Sequence, residues 1–165
     1  MPPITYRVHP IDPDTLQQLR KLDDADRPPA VSIDDGGGLP LRCCLRGSTP
    51  GERVALVSYA PLRRWAADSG VDAGAYDETG PVFIHPESCG GTESGDFPPT
   101  LQHAPRVLRA YNHDGTIRCG VPVEADGPFA ESLERLFAEE DVAFVHVRSL
   151  DFGCFTFAVE RADRQ

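Results

Sequence analysis

His85 and Cys89 close the run GPVFIHPESC, in which a short apolar stretch delivers an imidazole, a proline and then a thiol into a glycine-rich loop. Imidazole and thiolate at the mouth of a buried strand can serve as base and nucleophile or as metal ligands. The pair is separated by three residues, which suits zinc, and Cys43 and Cys44 offer two further ligands. Read on a strand, however, adjacent cysteines point to opposite faces, which argues against both reaching one ion. No second pair stands at a metal spacing. The reading therefore assigns no metal and no cofactor, and leaves His85, Cys89 and Cys44 as the candidate ligands. A nucleophilic thiol is the other option, with Cys44, Cys89 or Cys154 attacking and His85 or His146 as base. No nucleophile-elbow signature supports it.

A second constellation lies on alternating strand positions. In AFVHVRS, Phe144, His146 and Arg148 share one face while Ala143, Val145 and Val147 share the other. RVLRAY places Val107, Arg109 and Tyr111 together, and RCCLR, read as a strand, adds Arg42 and Cys44. If these faces coincide, guanidinium groups line a surface suited to a small anion, which arginine can bind in a bidentate way. Arg42, Arg109, Arg148 and Tyr111 are then the candidate binding residues. His146, His85 and Tyr59 are the candidate catalytic groups. The competing reading turns the polar face of each strand to solvent, as half-exposed antiparallel sheets do.

Other features carry less chemistry. The acidic runs Asp23-Asp24, Asp34-Asp35 and Glu139-Glu140-Asp141 are adjacent, not facing, and read as solvated charge. Gly36 to Gly38 lacks the Lys-Ser/Thr that completes a phosphate loop. The net charge is −10, and of the 16 basic residues only Lys21 is a lysine. Such an acidic field repels phosphate backbones, so nucleic acid is not an expected partner. No leader pattern opens the sequence and no apolar run has the length of a membrane span, which gives the expectation of a cytoplasmic protein without a membrane partner. Five cysteines, an odd number at irregular spacing, do not form a disulfide framework. The oligomeric state is not legible.

The elements that must position these groups follow from pattern. Tyr6 and Val8, with Ile4, mark a first strand. Asp14 is read as the cap of a helix whose stripe is Leu16, Leu19 and Leu22. Residues 24–40 are rich in Pro, Gly and Asp and read as an irregular loop. LRCCLR and RVALVSY form two strands of a hairpin around GSTPGE, and a short helix around Trp65 precedes the strand PVFIH. RVLRAY and TIRCGVPV make a hairpin through Asn112–Gly115. Phe129, Leu133, Leu136 and Phe137 are the buried stripe of a second main helix, and VAFVHVRS and CFTFAVER make a last hairpin. The expected fold is a single α+β domain, a curved and mainly antiparallel sheet of hairpins with two main helices.

The ordered set LRCCLRGSTPGERVALVSY, GPVFIH, LRAYNHDGTI and FVHVRSLDFGCFTFAVER resembles the bacterial family known as domain of unknown function 1203, from about Ile4 to Arg161. Arg42, Tyr59, Gly80-Pro81, His146, Arg148, Gly153 and Cys154 match its pattern, whereas Leu41 stands where members often have a cysteine. The resemblance implies a small cytoplasmic α+β protein and names no reaction. The expected function is a small-molecule enzyme or ligand-binding protein for an anionic metabolite. The alternatives are an interaction module working through its acidic surface and a metal-binding protein using His85 and Cys89.

Overall fold

The computed structural model describes residues 6–92 and 95–162; Ile4 lies outside them. Within them the chain is α+β, with three helices and two five-stranded sheets in place of the single sheet expected. In the first sheet, β1 (Tyr6–His9), β10 (Phe155–Arg161), β9 (Val142–Ser149), β7 (Arg106–Asn112) and β8 (Ile117–Val123) lie side by side in that order, all antiparallel. The second has the order β2 (Ala30–Asp34), β5 (Glu52–Tyr59), β6 (Gly80–Ile84), β3 (Pro40–Leu41), β4 (Arg46–Gly47). Its β3–β6 contact is parallel and the rest are antiparallel.

The two late hairpins form as their patterns predict, because each has a strong apolar alternation and a glycine turn. Their inner face, with Leu108, Val145, Val147, Phe157 and Val159, packs against α3 (Phe129–Phe137), whose buried side is the expected Phe129, Leu133, Leu136 and Phe137. The opposite face of the first sheet is also covered. Tyr111 and Phe144 pack on Leu62 and Trp65 of α2 (Pro61–Ser69), and Phe155 joins the apolar cluster of the second sheet. The short helix expected around Trp65 is α2, which stands beside the two main helices, and on the first sheet's second face Tyr111, Phe144, His146 and Arg148 are buried.

Three local readings are corrected. The first helix, α1 (Pro13–Leu19), is capped by Asp12, which accepts from Thr15 N at 3.0 Å and Thr15 Oγ1 at 2.6 Å. Pro13 fits the first helical position because its missing N–H has no partner there in any case. Leu22 falls past the helix end and is 50% exposed. The 24–40 segment contains β2, an edge strand with an almost wholly exposed face, held by pairing with β5 and not by apolar content. Most consequential, LRCCLR is not a strand. Residues 42–45 form a turn in which Leu45 N donates to Leu41 O at 2.9 Å and Leu45 adopts φ +56°. Burial of Leu41 and Cys43 in the second sheet's apolar cluster and of Leu45 in the first sheet's overrides the strand reading of this short apolar run. The true partners of β5 are β2 and β6.

Candidate functional site

Arg109, Arg148 and Tyr111 do converge. On β7 and β9, Arg109 is opposite His146 and Tyr111 is opposite Phe144, so their side chains share a face with that of Arg148. The group at the centre is the chain's own Glu78, from the loop between α2 and β6. Arg109 Nη1 donates to Glu78 Oε1 at 2.9 Å and Arg148 Nη2 to Oε2 at 3.0 Å. The Tyr111 hydroxyl donates to the same Oε2. Burial first, then this contact, raises the Tyr111 pKa to about 12. The anion gripped by these residues is thus internal. Arg42 takes a different path: it is buried and donates from Nε to Phe155 O at 2.8 Å and from Nη1 to Pro40 O at 2.5 Å. Glu78 had no signal in the sequence, since the irregular segment AYDETG has no period to place its side chains.

His146 is 2% exposed and enclosed by aromatic rings, with centroids of Tyr111 and Phe155 at 4.9 and 5.0 Å. Its Nδ1 has no hydrogen-bond partner among the described residues. Burial, then the charges of Arg148 and Arg109, holds its pKa well below the usual histidine value. Below about pH 6.5 the unfolded chain takes up a proton that the folded ring refuses, so stability is full above that pH and is lost as pH falls through it. The slope from this residue approaches about 1.4 kcal/mol per pH unit. His146→Phe suits the aromatic surroundings and is expected to flatten the fall in urea-unfolding stability between pH 7 and pH 5. An unchanged slope would mean that His146 is not the neutral buried ring described. Tyr59, at the end of β5, stands edge-on to Phe155 at 5.3 Å, and burial raises its pKa.

The closest gathering of reactive groups lies at the ends of β3 and β6. Parallel pairing, with Arg42 N donating to Phe83 O at 2.9 Å, carries the 42–45 turn alongside His85. His85 N then donates to Cys43 Sγ at 3.3 Å. Because the segment turns, both neighbouring thiols face the ring: Cys43 Sγ lies 3.2 Å and Cys44 Sγ 3.8 Å from His85 Nδ1, and the sulfurs are 3.9 Å apart. Cys89 completes the set, with all four potential ligand atoms within 4.8 Å of one another. Gly90 and Gly91, at φ +80° and +67°, turn the chain after Cys89, and a Cβ on Gly91 would lie 3.6 Å from Cys43 O. The sequence objection to Cys43 and Cys44 acting together thus fell with the strand that it assumed.

The other edge of the ring is fixed. His85 Nε2 lies 2.6 Å from Glu52 Oε1, and Arg46 Nη2 holds the same oxygen at 2.6 Å. Hydrogen bonds from Arg46, Thr49 N and His85 keep the Glu52 carboxyl far below the usual carboxylate range. A charged carboxylate at Nε2 calls for the N–H there and leaves Nδ1 bare toward the thiols. Cys43 is pushed up by its bond to Cys44 and by burial. Cys44 is brought down to about 6 by the hydrogen bond from Cys43, helped by Arg46 N and the charge of Arg46.

Cys43 and Cys89 also form part of the wall of a cleft of about 930 Å³, shared with Tyr59, His146 and Phe155. The expected catalytic residues are therefore distributed: Tyr59 and His146 line the cleft, while His85 sits in the thiol cluster at its wall. No described helix is long and apolar enough to cross a membrane. No curated protein and no solved structure matches this chain. A family model does match, over residues 38–161, which include the 42–45 turn, Glu52, Glu78, His85, Cys89 and the whole of β7 to β10. The chain accordingly belongs to the family described as protein of unknown function DUF1203.

Proposed function

We propose that this protein binds one divalent metal ion of the zinc type through Cys43, Cys44, His85 and Cys89. The observation that carries this reading is the mutual spacing of four potential ligand atoms within 4.8 Å. Zinc–sulfur bonds of about 2.3 Å and zinc–nitrogen bonds of about 2.0 Å give a tetrahedron with edges of about 3.5 to 3.8 Å. The separations of 3.9, 3.2 and 3.8 Å among Cys43, Cys44 and His85 are close to those edges. Thiolates and imidazole are the donors that zinc and other softer ions take in preference to magnesium or calcium. Glu52 supplies the outer carboxylate that metal-bound histidines use to fix tautomer and orientation.

Protein purified under reducing conditions without chelators is expected to contain about one zinc per chain by elemental analysis. Cobalt substitution should produce thiolate-to-metal charge transfer and the intense visible bands of a tetrahedral site. Glu52→Ala removes only the outer partner and should weaken zinc 10- to 100-fold in a chelator competition. Zinc and iron both far below one per chain, after loading with excess metal, would sink the reading.

A further inference from the structure

The cleft wall beside the thiol cluster holds polar groups that the protein itself leaves unmet. Arg20, just past the end of α1, is anchored by its Nε, which donates to His85 O at 3.0 Å. Its Nη2 is buried without a partner, and no carboxylate pairs with it among the described residues. The second cleft arginine, Arg64, differs: it is held by Asp24 at 2.8 Å and by Gln18 at 2.9 Å. Deeper in, the neutral ring of His146 adds an unpartnered Nδ1, and Tyr59, Phe144 and Phe155 provide apolar walls.

We propose that this cleft is a binding site for a small organic monocarboxylate, with the carboxylate on Arg20 and the hydrocarbon part against Tyr59, Phe144 and Phe155. The inference extends the metal reading, because Cys43 and Cys89 belong to both the ligand set and the cleft wall. A guanidinium anchored through Nε keeps its two Nη groups as a fork for a carboxylate, and a ligand that draws the enclosed Nη2 toward the cleft gives it the partner that the protein does not. Charge selects against a phosphate dianion. Asp12, Asp14, Asp68 and Glu160 outnumber Arg20, Lys21 and Arg64 in the lining of the same cleft, and the chain as a whole carries −10. One unpaired arginine in that field suits a single negative charge. The volume, about 930 Å³, falls within the range of ligand pockets and exceeds what inorganic ions need.

The anchoring of Arg20 on the carbonyl of His85 also ties the two sites together. A ligand on Arg20 meets the side chain that holds the backbone carbonyl of His85, the residue that bears the proposed metal-binding nitrogen. Its arrival should therefore be visible at the metal.

The test titrates phenylacetate, its neutral counterpart phenylacetamide, and inorganic phosphate into full-length zinc-loaded protein by calorimetry. The same titrations into the cobalt form are followed by visible absorption. Phenylacetate is expected to saturate, and phenylacetamide and phosphate to bind at least about tenfold more weakly. Arg20→Gln should raise the phenylacetate Kd about tenfold or more, and Arg20→Lys, which keeps charge but loses the fork, should fall between. Equal circular dichroism and Tm of the variants establish that they fold. The cobalt spectrum should shift with the same midpoint as the calorimetric curve.

Absence of saturable phenylacetate binding overturns the proposal, as does an Arg20→Gln variant that binds as well as the parent. Phosphate binding more tightly than phenylacetate overturns the carboxylate assignment. The two readings fail separately. Protein that loads metal but ignores phenylacetate loses only the carboxylate site. Protein that takes no metal yet binds phenylacetate through Arg20 loses only the metal centre.

Discussion

Glu78→Gln is expected to lower the unfolding free energy by about 3 kcal/mol, the scale for removing one partner of a largely buried ion pair. The reason is the number of donors that depend on this one carboxylate. Arg109, Arg148 and Tyr111 all donate to it, and its side chain and that of Arg148 are only 15% and 10% exposed. An amide in its place turns an N–H toward at least one of these donors and leaves two guanidinium charges facing each other across β7 and β9. For a chain of this size the loss corresponds to roughly 6 to 12 °C in Tm. The complementary variant, Glu78→Leu with Arg109→Met and Arg148→Leu, removes the charges together and should recover much of the loss, since an apolar cluster can replace a buried ionic one. Urea unfolding of both proteins measures the effect. A single-variant loss below about 1 kcal/mol would show that the clamp on Glu78 is not a stabilising unit.

Stripping zinc from the reduced protein should lower the apparent Tm by roughly 10 °C, and restoring the metal should reverse the shift. An ion that binds only the folded state stabilises it by mass action, about 4 kcal/mol at a thousandfold excess over Kd. The ligands decide where that energy acts. Cys43 is buried in the second sheet's apolar cluster and His85 is 8% exposed, so the ion would fasten the 42–45 turn to the end of β6. Cys43→Ser and His85→Ala should abolish both metal uptake and the zinc-dependent part of Tm. Cys89→Ser should act differently, because Cys89 is exposed on a glycine turn. It should weaken zinc while leaving the Tm of the metal-free protein unchanged. A Tm that is the same with and without zinc in the parent would count against a centre that couples to the fold.

The two predictions concern sites of opposite legibility. Arg109 with Tyr111, and His146 with Arg148, were readable as shared faces because a strand places alternate residues on one side; that the two faces coincide depends on the pairing of β7 with β9, which no turn between them sets. Their partner was not readable. Glu78 sits in a loop without periodicity, and which loop covers a sheet face is decided by packing between elements far apart in the chain. At the thiol cluster His85 and Cys89 stood out by residue type, yet the geometry that unites them with Cys43 and Cys44 was argued away by a strand that does not form.

What the sequence by itself determined about this protein is therefore local and periodic: the strands of the last two hairpins, the buried side of α3, the α+β class and the family. The strands, the helix side and the class rest on side-chain periodicity or on a turn residue, which act over a few positions, and the family rests on the resemblance of an ordered set of motifs. What only the tertiary structure decided is the division into two sheets, the parallel contact of β3 with β6, and the internal carboxylate that occupies the arginines. It also decided the turn that brings two adjacent thiols to one imidazole. The physical reason is common to all of these. Short apolar runs such as LRCCLR gain comparable burial as strand or as turn, and only the neighbours that cover Leu41, Cys43 and Leu45 determine which conformation is adopted.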